Sequence, residues 1–493
     1  MSFFFRFRWW IGAALSTAFL LYIVLASTVF ASSASSTLLQ LSSDPYTNTT
    51  SQHSTEVEPD SFAYGSTIVA VTQVGRFSDG GASNTGWATS SDNGATWQKG
   101  FLPATTVYAT PAGSYDRLSD PTVAYDAAHQ RWMIASLAIS SASGTAVGAA
   151  VIVSLSSDGG LTWNAPVTVA TASFGGFFDK DWIVCDNTST SPHFGNCYVE
   201  WDLASSNDLV QMSTSSDGGN TWSAAQVTAD SANGLGGQPL VQPNGTVIVP
   251  FLTTASGIAS FTSTDGGASW NSSVTISSET NHQVGSKRTE PLPSAAIDGS
   301  GKVYVVWQDC RFENGCSAND MVMSTSTDGT TWSAVQLIPT DPVGSGADHF
   351  IPGLGIDPAT SGSSAHLALA YYYFPNASCS ASTCQLEVGF VTSINGGSTW
   401  SAVSTLTPAA MNMAWLANTT DGYMVGDYIA TSFSAGKAYP VFVTASAPSN
   451  GQLNEALDTV QAGLTVEGGT NAATTASVVP IHSQSSRQYP PVK

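Results

Sequence analysis

"SSDGGLTW" at Ser156–Trp163 and "SSDGGNTW" at Ser215–Trp222 are one octapeptide met twice, about sixty residues apart. Four further copies align with it: "SSDNGATW" at Ser90–Trp97, "STDGGASW" at Ser263–Trp270, "STDGTTW" at Ser326–Trp332 and "SINGGSTW" at Ser393–Trp400. The fifth copy is one residue short, and the sixth has Asn395 where the others have Asp. Each copy lies between short alternating or β-branched stretches, as in "VIVSLSSDGGLTWNAPVTV", which is the context of a hairpin turn. The Asp or Asn side chain can accept hydrogen bonds from the amides of its own turn, and Gly supplies positive φ. The constant Trp is large and apolar, so it is expected to pack beneath a neighbouring repeat.

These octapeptides are Asp-boxes, and on them the chain from about Glu56 to Ala462 resembles the sialidase-like, BNR-repeat β-propellers. The resemblance implies an all-β fold with each box on the turn between the third and fourth strands of a blade, away from the active face. The boxes are then scaffold.

A second pattern recurs between boxes: an apolar strand, a Gly/Asp/Asn turn and another apolar strand, as in "DPTVAYDAAHQRWMIASLA" and "EPLPSAAIDGSGKVYVVWQD". Such inner hairpins start near Glu58, Asp120, Asp181, Gln238, Glu290, His349 and Asp427, and the last has no box after it. One inner hairpin plus one box-bearing hairpin makes a four-stranded blade. The expected architecture is therefore a propeller of six or seven blades, seven favoured, closed radially so that few edges are exposed. The expected organisation is a leader over 1–34, a linker over 35–55, the propeller over 56–463 and a loose Thr/Ala/Gly/Ser tail over 464–493.

The 493 residues carry 14 Lys+Arg against 35 Asp+Glu, a net charge of −21. Nucleic acid and anionic membrane surfaces are excluded as partners, because both need a basic patch. Arg6 and Arg8 precede an apolar run from Trp9 to about Ala31 and then small residues. That is the pattern of a secretory signal peptide or of a retained membrane anchor, and on either reading the rest of the chain is exported. The six cysteines allow 15 pairings. Local spacing makes Cys185–Cys197, Cys310–Cys316 and Cys379–Cys384 the economical set for an oxidising compartment.

Propeller topology sorts the charged residues by face. The boxes sit at the turn between third and fourth strands, so the opposite face carries what precedes an inner strand or follows the second one. Arg76, Arg117, Arg288 and Arg311 fall on that face, and Arg131 falls on the box side. Arginine forks bind carboxylates in a bidentate manner, so four of them gathered in an acidic chain mark a candidate binding rim. Asp120, Asp179, Asp181, Asp202, Glu290, Asp309, Asp348, His349, Asp427 and Tyr428 share it. On the bland alternative these charges simply pair with one another and tie blades together.

The resemblance implies an exo-sialidase or related glycoside hydrolase, with Tyr428 of "GDYIA" as nucleophile, Glu290 of "KRTEPLP" polarising it and Asp120 as acid/base. Arg117, Arg288, Arg311 and Arg76 would hold the substrate of such an enzyme, a glycan or glycoconjugate. The family's arginine before the first inner strand is replaced here by "TEVEPDSF". The alternative is a non-catalytic propeller that binds carbohydrate or protein at the cell surface. No cofactor is required on either reading, although Asp179 and Asp181 of "FGGFFDKDWIVCD" are candidate oxygen ligands for Ca²⁺.

Overall fold

The computed structural model describes residues 37–141 and 146–475. The leader expected over 1–34 and residues 476–493 of the expected tail lie outside the described residues, within which no helix is long and apolar enough to cross a membrane. What is described is an all-β propeller built from one repeated antiparallel unit. Arg117–Asp126, Arg131–Ser140, Val147–Ser156 and Val167–Thr171 form one such unit, with the box at the turn before its short outer strand.

Box geometry explains the repeated octapeptide. Asp158 Oδ1 accepts from Ser156 Oγ at 2.8 Å and from the Thr162 amide at 2.9 Å, and Oδ2 accepts from Thr162 Oγ1 at 2.6 Å. Gly159 and Gly160 have φ of +86° and +80°. A Cβ on Gly160 would stand 2.9 Å from a Val69 methyl, so glycine also permits the close approach to the preceding unit. Trp163 is buried in the same place, packed with Val69, Val71, Trp132 and Ile152. In the sixth box Asn395 accepts from the Thr399 amide at 2.9 Å and donates to Thr399 Oγ1 at 2.8 Å, reproducing the pattern with an amide.

The expected six or seven blades give way to five extended sheets. Among the described residues four sheets have five strands and one has eight, and a further sheet has three. Two causes are visible. The Ala82↔Leu118 pairing joins Ala82–Ser90 to Arg117–Asp126 and merges two box-bearing units into the eight-stranded sheet. In the sheet of Phe178–Cys185, Cys197–Leu203 and Leu209–Ser215 the outer strand shrinks to a single bridge, Met212↔Gln226.

Short stretches of the described residues on both flanks pair with the propeller. Leu38–Gln40 pairs with Glu455–Val460 in register Leu38↔Val460, so an early segment supplies the outer strand of the last unit. Leu464–Thr465, Asn471–Ala472 and Thr474–Thr475 pair with Lys437–Ala438, Thr399–Trp400 and Gln336–Leu337. The three disulfides join the expected cysteines. Cys310–Cys316 and Cys379–Cys384 lie between second and third strands, on the face opposite the boxes, and Cys185↔Cys197 bridges a hairpin at the box end.

Candidate functional site

The inner strands are interrupted where they reach the rim. Pairing slips between Val57 and Asp60, between Ser119 and Thr122, between Asp179 and Trp182, and between Phe350 and Pro352. At each slip one residue bulges into the left-handed region: Glu58 at φ +55°, Asp120 at +47°, Lys180 at +50° and Ile351 at +52°. Proline follows three of them, at Pro59, Pro121 and Pro352, and its missing N–H removes a ladder bond at that point. Non-glycine residues held at such φ cost about 1–3 kcal/mol each, and such strain clusters at functional sites. Three of the four bulges carry a charged side chain, and all three side chains are buried.

Around these bulges a network forms. Arg288 grips Asp427 in a bidentate manner, Nε–Oδ1 at 2.8 Å and Nη2–Oδ2 at 2.5 Å. Lys180 Nζ donates to the same carboxylate and lies 3.8 Å from Asp120 Oδ1. Arg76 Nη1 donates to Gln73 Oε1 at 2.9 Å, and Gln73 Nε2 donates to Glu58 and to Ser119 Oγ. Burial works to raise the Asp427 carboxyl, but Arg288 and Lys180 outweigh it and hold the group far below the usual range. Burial pushes Glu58 up to about 8, with Asp120 and Asp427 adding to the effect. Burial likewise takes Asp179 to about 6 against the pull of Lys180. Asp181 is raised well above the carboxylate range by burial and by Asp120 and Glu200, and its oxygens have no hydrogen-bond partner among the described residues.

Two recesses open beside the network. The larger, about 450 Å³, is lined by Arg76, Asp79, Asp120, Phe177, Asp179 and Arg288, with small residues and the apolar Leu137, Ile139 and Phe178 between them. The smaller, about 270 Å³, is lined by Lys180, Asp181, Trp182, Gly237, Leu292 and Tyr428.

Of the residues expected to bind substrate, Arg76 and Arg288 meet in the larger recess. Arg117 stands at its edge, bonded to Asp79 at 2.6 Å and to the Gly80 carbonyl at 2.8 Å, with its guanidinium 4.0 Å over the Phe77 ring. Arg311 is not brought to either recess: Nε and Nη2 donate to Asp309 at 2.9 and 2.6 Å, and Nη2 donates also to the Ser278 carbonyl. Of the expected catalytic set, Asp120 lines the larger recess and Tyr428 the smaller. Tyr428 donates to the Pro121 carbonyl at 3.3 Å and packs edge-on to Trp182. Burial and the nearby acids Glu58, Asp120, Asp181 and Asp60 raise its pKa well above the ordinary tyrosine value. Glu290 is raised by burial, and the charges that bear on it are Lys180, Asp427, Arg288 and Asp179.

Of the expected Ca²⁺ ligands, Asp179 lines the larger recess and Asp181 the smaller. Among the described residues the grouping with metal-ligand spacing is Asp320, Asp341 and His349.

Glu58 and Lys180 are charged members of the network not placed among the candidate site residues from the sequence, which put Asp427 on the rim without giving it a role. A signal was present: an acid directly before proline at the head of an inner strand recurs as Glu58-Pro59, Asp120-Pro121 and Glu290-Pro291.

The fold is an all-β propeller whose repeated turns carry the boxes. Residues 150–355 match the family model of the BNR repeat-like domain. No curated protein matches the chain. Among solved structures, a protein of unknown function from Dyadobacter fermentans DSM 18053 is 13% identical, covering 73% of this chain and 99% of its own, at a TM-score of 0.47. The Trypanosoma rangeli sialidase in complex with sialic acid is 13% identical over 87% of this chain and 59% of its own, at 0.45. The intramolecular trans-sialidase from Ruminococcus gnavus is 15% identical over 80% and 90%, at 0.38.

Proposed function

We propose that this protein is exported, binds a glycan residue in the larger rim recess and hydrolyses its glycosidic bond, with Asp179 as proton donor and Asp120 as the partner carboxylate. The observation that carries this reading is the lining of the larger recess by two guanidinium groups, Arg76 and Arg288, and three carboxyl groups, Asp79, Asp120 and Asp179. Glycosidases of most kinds work with a carboxyl pair in which one member stays protonated near neutrality, and a carboxyl at about 6 meets that need. An uncharged sugar suits the recess better than sialic acid, because Arg288 is already committed to Asp427 and acids surround it. Export is supported by the three disulfides, a pattern of oxidising compartments.

The second reading, a non-catalytic glycan-binding propeller, is favoured by one observation: Lys180 and Arg288 are both spent on Asp427. A panel of fluorogenic glycosides, neutral ones beside a sialoside, separates the two on the full chain. Turnover of a neutral glycoside that falls at least a hundredfold in Asp179→Asn is expected, the scale of a lost general acid. Binding on a glycan array with no turnover of any glycoside makes the protein a lectin-like binder.

A further inference from the structure

Away from the recesses, three potential ligands converge where two sheets meet. Asp320 opens the strand Asp320–Ser326, His349 is the second residue of Asp348–Ile356 in the next sheet, and Asp341 lies on the connection between them. One ligand atom from each lies within 4.8 Å of the other two. We propose that Asp320, Asp341 and His349 bind a divalent cation of the zinc or manganese type, which clamps the two sheets together at the rim.

Three observations carry it. Asp320 is 2% exposed, and its Oδ2 has no hydrogen-bond partner among the described residues. The charges that act on it most are all acidic, from Glu313, Asp341, Asp309 and Asp348, so the carboxylate lacks a cation. A buried carboxylate in that situation takes either a proton or a metal ion.

His349 is oriented as a ligand. Its Nδ1 lies 3.0 Å from the Asn319 carbonyl, an acceptor, so Nδ1 must carry the hydrogen. In the neutral ring this leaves the Nε2 lone pair free, 3.8 Å from Asp341 Oδ1. A carbonyl behind a histidine is the usual support of a metal-bound imidazole. The Tyr373 ring stacks on the imidazole at 5.9 Å and limits its rotation. Asp341 gives one oxygen to the Ser345 hydroxyl and keeps the other toward the histidine. Its side chain is 18% exposed, which leaves a route for the ion.

Chemistry narrows the ion. Imidazole with two carboxylates suits zinc or manganese, whereas calcium takes six to eight oxygens. Metal–ligand bonds of about 2.0–2.2 Å set neighbouring ligands roughly 3–3.5 Å apart, so ligand atoms at the 4.8 Å limit would close by roughly 1.3–1.8 Å on binding.

The test is equilibrium dialysis of the EDTA-treated full chain against Zn²⁺ and against Mn²⁺ at neutral pH, with melting curves alongside. One equivalent of one of these metals and a raised Tm are expected, with affinity falling at least tenfold in His349→Gln and in Asp320→Asn. Should Asp320→Asn fail to fold, Asp341→Asn at the exposed edge gives the same readout. No stoichiometric uptake of either metal overturns the proposal, leaving Asp320 simply protonated. Uptake that survives these substitutions overturns it as well. Neither result depends on whether the recess hydrolyses a glycoside.

Discussion

The box turns and the inner-strand bulges solve the same backbone problem in opposite ways. In the boxes, positive φ falls on glycines such as Gly159 and Gly160, and Asp158 is surrounded by its own turn's donors. At the bulges, positive φ falls on Glu58, Asp120 and Lys180, whose ionisable side chains are buried, and Asp120 Oδ1 has no hydrogen-bond partner among the described residues. At the box end most positive φ falls on glycine, with Asn93, Gln130 and Ala435 as exceptions. The other end retains strain and charge together at the place where the recesses open, which is the pattern of a site and not of a scaffold.

The sharpest way to break this contrast is Asp427→Ala. Asp427 neutralises Lys180, which is 5% exposed, and Arg288, whose side chain is 14% exposed. Removing one partner of a buried ion pair leaves an uncompensated charge, at a cost of about 3–5 kcal/mol. Urea unfolding measures this directly. A loss below about 1 kcal/mol, the size of a surface pair, means the rim is solvated like the box face.

A smaller effect comes from titration. Burial raises Glu56 and Asp60 to about 7 and Glu58 to about 8 in the folded protein. Unfolded, these carboxyls titrate near 4. The folded state therefore holds more protons between roughly pH 4 and pH 7, and stability falls as pH rises through that window. Lys287, lowered by burial to about 7, opposes this only above that value. The Tm is expected to be higher at pH 5 than at pH 7, each such group contributing up to about 1.4 kcal/mol per pH unit. Glu58→Gln should flatten the slope. A Tm that instead climbs from pH 5 to pH 7 means that these acids are ionised and paired when folded.

How far the sequence could be read follows the same division. Box turns, disulfide pairs and the all-β propeller were legible because each rests on local chemistry: an Asx turn, a six-residue loop, an alternating strand. Sheet continuity was not, since it turns on one long-range pairing, Ala82↔Leu118. Nor was the outer strand supplied by Leu38–Gln40, a segment of three residues. At the site, topology brought Arg76 and Arg288 to the right face, but which arginine is free depends on partners distant in sequence. Arg288 meets Asp427 across 139 residues, whereas Arg311 is held two residues away by Asp309.

The smallest expected effect tests the box half of the contrast. If Asp158 serves only its own turn, its charge is dispensable and its acceptor oxygens are not. Asn395 already fills the equivalent position in the sixth box and bonds the equivalent amide. Asp158→Asn should then change stability by less than about 0.5 kcal/mol, as a surface substitution that keeps its hydrogen bonds does. Asp158→Ala, which abandons the Thr162 and Ser156 donors at an exposed turn, should cost about 0.5–1.5 kcal/mol, the net worth of ordinary hydrogen bonds. Neither substitution should alter glycan binding or turnover, because the box lies at the far end of the strands from both recesses. Loss of ligand binding in Asp158→Asn at unchanged stability would move function to the box face and remove the distinction between the two ends.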